Sequence, residues 1–213
     1  GSGSEVAAAF AAIDTNTGNA TANITGTDYT VAQLKAINNA TTGAIVLATS
    51  TSESLSGDAT DIAAALDGTI NYTGNVTVTD NAYTVTELKT INAGTTGNIT
   101  LNSAGVALSG TVANIKAAFA GTVTEHTGTL EITDANTTDI TATDITSINT
   151  TNTGTITVTN TIDINGSGSE VAAAFAAIDT NTGNATANIT GTDYTVAQLK
   201  AINNATTGAI VLV

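Results

Sequence analysis

Proline, cysteine, methionine, tryptophan and arginine are all missing from the 213 residues; aromatic residues make up 3% and charged residues 10%. These absences exclude whole classes of function. Without cysteine there are no disulfides and no thiolate metal sites, and the composition is compatible with an oxidising compartment. Four lysines stand against 18 acidic residues, a net charge of −14. That leaves no basic cluster to displace counterions from nucleic acid, and it disfavours anionic membrane surfaces. No apolar run approaches the ~20 residues of a spanning helix. Irregular enzyme cores are filled by large side chains; a chain with so few of them suits a narrow core whose layers resemble one another. Low charge and a mean hydropathy of +0.19 argue against disorder despite the bias to Thr and Asn. With no methionine and no leader-like segment, the chain is expected to be a processed or excised piece of something longer.

What is present is repetition. Gly1–Leu47 and Gly166–Leu212 are identical at an offset of 165, and the match breaks at Ala48 against Val213. The opening GSGSEVAAAF would pass for an artificial leader, but its return at Gly166–Phe175 marks it as a turn leading into a recurrent helix. A shorter period lies inside the long one. LSGDATDIAAAL from Leu55, LSGTVANIKAAF from Leu108 and INGSGSEVAAAF from Ile164 align without a gap. So do YTVAQLKAINNATTG from Tyr29, YTVTELKTINAGTTG from Tyr83 and ITATDITSINTTNTG from Ile140. The landmarks Val6, Leu34, Ile62, Leu88, Ile115, Ile145, Val171 and Leu199 are spaced by 28, 28, 26, 27, 30, 26 and 28 residues, and six steps span the 165-residue offset.

Each unit of about 27 residues reads as a short helix followed by short strands. Thr30, Thr84 and Thr111 are expected N-caps, with Ser4, Ser169 and Thr60 in similar turns. A glycine opens an alternating strand in GAIVL, GNITL and GTITV, and second strands are expected in VAL from Val106, NVTVT from Asn75, TLEIT from Thr129 and TIDI from Thr161. Such units must stack to bury their apolar faces. The expectation is an α/β repeat solenoid: short strands stacked in continuous parallel sheets, one short helix per unit, and two alternating helix types. Residues 1–213 then form a single continuous solenoid of nearly eight units. Strands stack ~4.8 Å apart whereas helices need 8–10 Å, so such a solenoid is expected to curve. In the alternative, segments such as Ile70–Val78 form hairpins and each unit adds two strands per helix.

The lysines fit the same registration. Lys35, Lys89, Lys116 and Lys200 each follow a landmark, and the column just before it holds Glu5, Gln33, Asp61, Glu87, Asn114, Asp144, Glu170 and Gln198. Neighbouring coils are placed to pair these side chains, at ~0–1 kcal/mol each, and a solvated helix face accounts for the same columns at least as well.

The two helix motifs, YTVAQLKAINNATTG and LSGTVANIKAAFAG, resemble the alternating repeats of giant low-complexity surface or extracellular proteins of marine cyanobacteria and other bacteria. The resemblance covers the whole chain and implies an extracellular, structural or adhesive role. Some such proteins are linked to calcium, but the Gly-rich nonapeptides of calcium-binding β-rolls are missing here.

Motifs that could carry chemistry are few. TIDINGSGSEVAAAF (Thr161–Phe175) imitates a phosphate-binding turn, but it lacks a third glycine and sets Glu170 where phosphate would lie. His126, the single histidine, could act as a base with Glu125 or Glu131, although its place beside a Thr-Gly turn favours an exposed residue. DTNTGN at Asp14–Asn19 and Asp179–Asn184 begins like a calcium loop without the closing glutamate, and reads better as a helix end with Gly18 as C-cap. Thr77/Thr79, Thr155/Thr157 and Thr157/Thr159 could form a flat threonine face of the kind that binds ice, but threonine is a favoured solvent-facing strand residue and the pairs are missing from AIVL and VAL.

No catalytic, cofactor-binding or metal residue is assigned, and no enzyme activity is expected. No cofactor is required, and weak calcium binding is allowed by the acidity. The expected role is a structural segment of a long extracellular or cell-surface fibre. Its partner is itself, end to end through terminal strands such as GAIVLV, without nucleic acid or membrane insertion. The alternative is an adhesin or ice-binding solenoid.

Overall fold

Eight short helices recur among the described residues: α1 (Gly3–Ala11), α2 (Val31–Ala40), α3 (Ala59–Leu66), α4 (Val85–Gly94), α5 (Val112–Ala118), α6 (Ala142–Thr151), α7 (Gly168–Ala177) and α8 (Val196–Ala205). The computed structural model describes residues 1–50 and 53–213. Thr30, Thr84 and Thr195 cap their helices in reciprocal boxes with Gln33, Glu87 and Gln198. Ser2 and Ser167, not Ser4 and Ser169, cap α1 and α7, because Glu5 and Glu170 reach back to the Ser2 and Ser167 amides at 2.8 Å. Asp58, not Thr60, is the N-cap of α3.

The strands are β1 (Ala22–Ile24), β2 (Ile45–Leu47), β3 (Leu55–Gly57), β4 (Val76–Val78), β5 (Ile99–Leu101), β6 (Leu108–Gly110), β7 (Leu130–Ile132), β8 (Asp139–Thr141), β9 (Ile156–Val158), β10 (Asp163–Gly166), β11 (Thr180–Asn181), β12 (Thr186–Ile189) and β13 (Ile210–Leu212). Two starts differ from the sequence reading. Val106 uses its carbonyl to receive the His126 ring, so β6 begins at Leu108. The Thr161 amide donates to Asn136 Oδ1, so β10 begins at Asp163.

The chain divides into two compact units, Gly1–Ser103 with Ala117–Thr124, and Ala104–Lys116 with Glu125–Val213. In the first, β1 pairs with β2, and β3, β4 and β5 form a second sheet in that order. In the second, the sheets run β6-β7-β9-β11 and β8-β10-β12-β13. Every ladder is parallel. The hairpin alternative fails on this point: Ile70 bridges back to Ile45, while Val76 pairs with Leu55 and Ile99 in another sheet. The fold is thus an array of alternating α/β units with short parallel strands, but among the described residues these lie in four small sheets rather than continuous ones.

The sheets are short because two periods compete. A strand residue meets its partner 21 to 26 residues on, as in Leu55↔Val76 and Leu130↔Ile156, whereas helices recur every 26 to 30. A ladder therefore drifts relative to the helices until its next step falls inside one. About 23 residues beyond Asn181 lies α8, and the same step beyond Ile70 reaches α4. Stepping back from Asp139 reaches α5, and from Leu55 it reaches α2.

Strand burial alternates as the pleat requires, with Ile24, Ile45, Val76, Leu130 and Ile156 facing inward against Leu34, Ile62, Leu88 and Ile145 of the helices. Turns are tied by buried polar groups. Thr41, Thr95 and Thr206 each donate to a carbonyl of the preceding turn, at Ala20, Gly74 and Ala185, and accept from the glycine two residues later. That glycine is obligatory: a Cβ on Gly97 would lie 2.2 Å from the Gly74 oxygen. The single hydroxyl hydrogen of Tyr72 is shared between the Glu53 and Asn75 carbonyls, at 2.8 and 2.7 Å, and burial pushes its phenol up to about 12.

Candidate functional site

His126 is fully buried rather than exposed in a turn. Its Nε2 lies 2.7 Å from the Val106 carbonyl and its Nδ1 2.8 Å from Asn152 Oδ1. The ring braces adjacent turns where Asn152 stands in the column otherwise held by Thr41, Thr95 and Thr206. Glu125 is exposed, and Glu131 accepts from Thr159 on the outer side of the β7–β9 pair. Neither nitrogen of His126 is turned to a substrate cavity.

The Thr161–Phe175 turn is closed by its own side chains. Glu170 accepts from the Ser167 amide and hydroxyl, which lower its carboxyl below the usual value and fill the helix N-terminus. Gly18 is not a C-cap: α1 ends at Ala11 with Ala12 as its C-cap, and the left-handed residue of the turn that follows is Asn19, as Asn184 is in the second copy. The oxygens of DTNTGN serve neighbouring backbone instead of converging. Asp179 Oδ2 accepts from the Ile156 amide at 2.8 Å and Asn181 Oδ1 from Ala185 at 3.0 Å. Among the described residues no group of three or more His, Asp and Glu side chains is placed to hold a metal ion.

The outward rows of the sheets are mixed. They read Ser56–Thr77–Thr100, Ser109–Glu131–Thr157–Thr180, Asn23–Val46, and Thr141–Asn165–Asn188–Val211. Threonines adjoin over two strands at most, so no broad flat threonine lattice forms on these rows.

What does stand out is an apolar face. A groove of about 540 Å³ is lined by Val196, Leu199, Lys200, Asn203, Ile210 and Leu212, on α8 and β13. Leu212 is 48% exposed, whereas its sequence twin Leu47 is 3% exposed. The twin face on α2 and β2 is covered by α3 and by the bridge from Ile45 to Ile70. A second such face lies on α1: Ile13 is 46% exposed and Val6 and Ala9 are accessible, while Ile178, Val171 and Ala174 are buried beside α6. The sequence reading picked out GAIVLV but missed the helical half of its face and all of the α1 face; comparing twin columns would have found both.

Polar ties run across the equivalent covered faces. Lys35 Nζ meets Asp61 Oδ1 at 2.5 Å, and Lys116 pairs with Asp144, whose carboxyl is held below its usual value by that lysine. Asn38 Nδ2 donates to the Ala64 carbonyl at 2.8 Å and Asn92 Nδ2 to that of Ala117 at 2.7 Å. Two of the expected lysine–acid pairs form between coils, Lys35–Asp61 and Lys116–Asp144; the asparagine column four residues after the landmark was not anticipated. No helix among the described residues is long and apolar enough to cross a membrane. No protein-family model, curated protein or solved structure matches the chain.

Proposed function

We propose that the chain is a structural segment of a long extracellular or cell-surface fibre, a solenoid that extends by stacking further units on its end faces. The observation that carries this reading is the pair of uncovered faces on α1 and α8–β13, whose sequence twins are buried against neighbouring units. In a repeat array each unit gains stability from the next, so an uncovered face of this kind is a place for continuation. Function then lies in length and in an acidic, chemically inert surface. The interrupted threonine rows weigh against the ice-binding alternative.

Concentrated protein examined by light scattering and negative-stain microscopy is expected to show elongated assemblies whose mass grows with concentration. Compact particles of constant mass at all concentrations would overturn the proposal.

A further inference from the structure

We infer that the α8–β13 face of one copy receives the α1 face of a second copy in one defined register. In that register Ile210 lies opposite Asp14, Leu212 opposite Asn16, and Lys200 pairs with Glu5 of the second copy. This inference rests on the structural reading above and adds the partner and the geometry of its contact.

Both halves of the junction are already visible with partners inside the chain. The α8–β13 face repeats the α2–β2 sequence, which is covered by α3. The α1 face repeats the α7 sequence, which packs on α6 while β11 pairs with β9. Helix types alternate along the chain, and α8 followed by α1 preserves that alternation.

The register is fixed by three internal precedents. The first inward residue of the strand after α2, α4 and α6 lies opposite the residue eight positions beyond the next landmark. Ile45 meets Ile70 and Ile99 meets Val123 as bridges, and Thr157 pairs with Thr180, which sets Ile156 against Asp179. Asp179 confirms its position by donating its amide to the Ile156 carbonyl at 2.9 Å while its carboxylate accepts from Ile156. Eight residues beyond Val6 is Asp14. The segment Thr15–Asn16 is not a strand in the first copy, whereas its twin β11 is one, paired to β9; a second copy's β13 supplies the missing edge.

The polar precedents agree with this register. Lysine one position after a landmark meets the acid one position before the next landmark in Lys35–Asp61 and Lys116–Asp144, and the same rule joins Lys200 to Glu5. Asparagine four after a landmark donates to the carbonyl two after the next, in Asn38–Ala64 and Asn92–Ala117, which directs Asn203 to Ala8. Apolar burial supplies the affinity and the charged pair selects the partner face. The contact is heterologous, so it does not close on itself as a symmetric dimer would.

The test uses the full chain and two readouts. In sedimentation velocity, Leu212→Asp is expected to weaken self-association about tenfold to a hundredfold. Val211→Asp is the control, because Val211 is 41% exposed and its twin Val46 remains 40% exposed beside a covered face; it should associate as the parent does. The natural lack of cysteine allows a directional trap. Lys200→Cys protein mixed with Glu5→Cys protein and oxidised should give mainly the mixed disulfide. Products linking two Lys200→Cys chains in preference would mean like faces meet, and would overturn the junction. Association that grows normally but ignores Leu212→Asp and yields no mixed disulfide would overturn the junction while leaving the fibre reading standing. Absence of any association would overturn both.

Discussion

Gly1–Leu47 and Gly166–Leu212 are one sequence in two settings, and the molecule reports which properties follow the sequence and which follow the neighbours. Local geometry follows the sequence. β1 pairs with β2 in the register in which β12 pairs with β13, Ala22↔Ile45 beside Ala187↔Ile210. Thr41 and Thr206 reach equivalent carbonyls at the same 2.7 Å, and the Ser2 and Ser167 caps are alike. Burial follows the neighbours. The first copy is covered on its later side and open on its earlier one, and the second copy is the reverse.

The sharpest test of this division sets Leu34 against Leu199. Leu34→Ala removes a fully buried side chain and should cost about 2–5 kcal/mol. The same change at the half-buried Leu199 should cost less than about 1 kcal/mol in dilute solution. Urea denaturation at low protein concentration measures both; equal losses would break the comparison.

A smaller effect should be the same in both copies. Thr41→Val and Thr206→Val each leave a glycine amide and a carbonyl without their partner. Each should cost about 1–3 kcal/mol, and the two midpoints should shift together. A clear difference between them would mean that local geometry also depends on the surrounding units.

The smallest effect concerns acid. Hydrogen bonds from Ser2 and Ser167 lower the carboxyl groups of Glu5 and Glu170 from the usual 4.5. A carboxyl lowered on folding stabilises the protein above its unfolded value, and that contribution is lost as pH falls through the folded value. Stability should therefore decline from about pH 4.5 downward. Glu5→Gln and Glu170→Gln should flatten that decline by similar small amounts, because both side chains are exposed. Melting temperatures recorded across the acid range would check it, and unequal flattening would show that the caps differ in their settings.

Much of the fold was legible because side-chain patterns follow the backbone period. Leu34, Leu88 and Ile145 mark helices, and the alternation in GNITL and GTITV marks β5 and β9. The small sheets were not legible, because the strand period is a property of hydrogen bonding between distant turns and leaves no fixed residue in each unit. Ile70 illustrates this: its neighbours Tyr72 to Val78 suggested a hairpin, but its partner lies a full turn earlier at Ile45. The burial of His126 was hidden for a related reason, since its cause is Asn152, 26 residues away. The end faces were half legible: β13 announces itself as an apolar strand, whereas Val196 and Leu199 look like any core positions until their twins are compared.

The competition between strand and helix spacing has a consequence for how such a chain can lengthen. Strand partners lie on average about 24 residues apart, so roughly seven strand steps fill the 165-residue offset that six helix steps also fill. The two periods act as a vernier and coincide only at the superrepeat. Inserting one helix unit alone would move every later strand by about four residues relative to its ladder, enough to bring helices against strand edges. Inserting 165 residues moves nothing, which is a physical reason for the exact copy to begin at Gly166 and not one unit after Gly1.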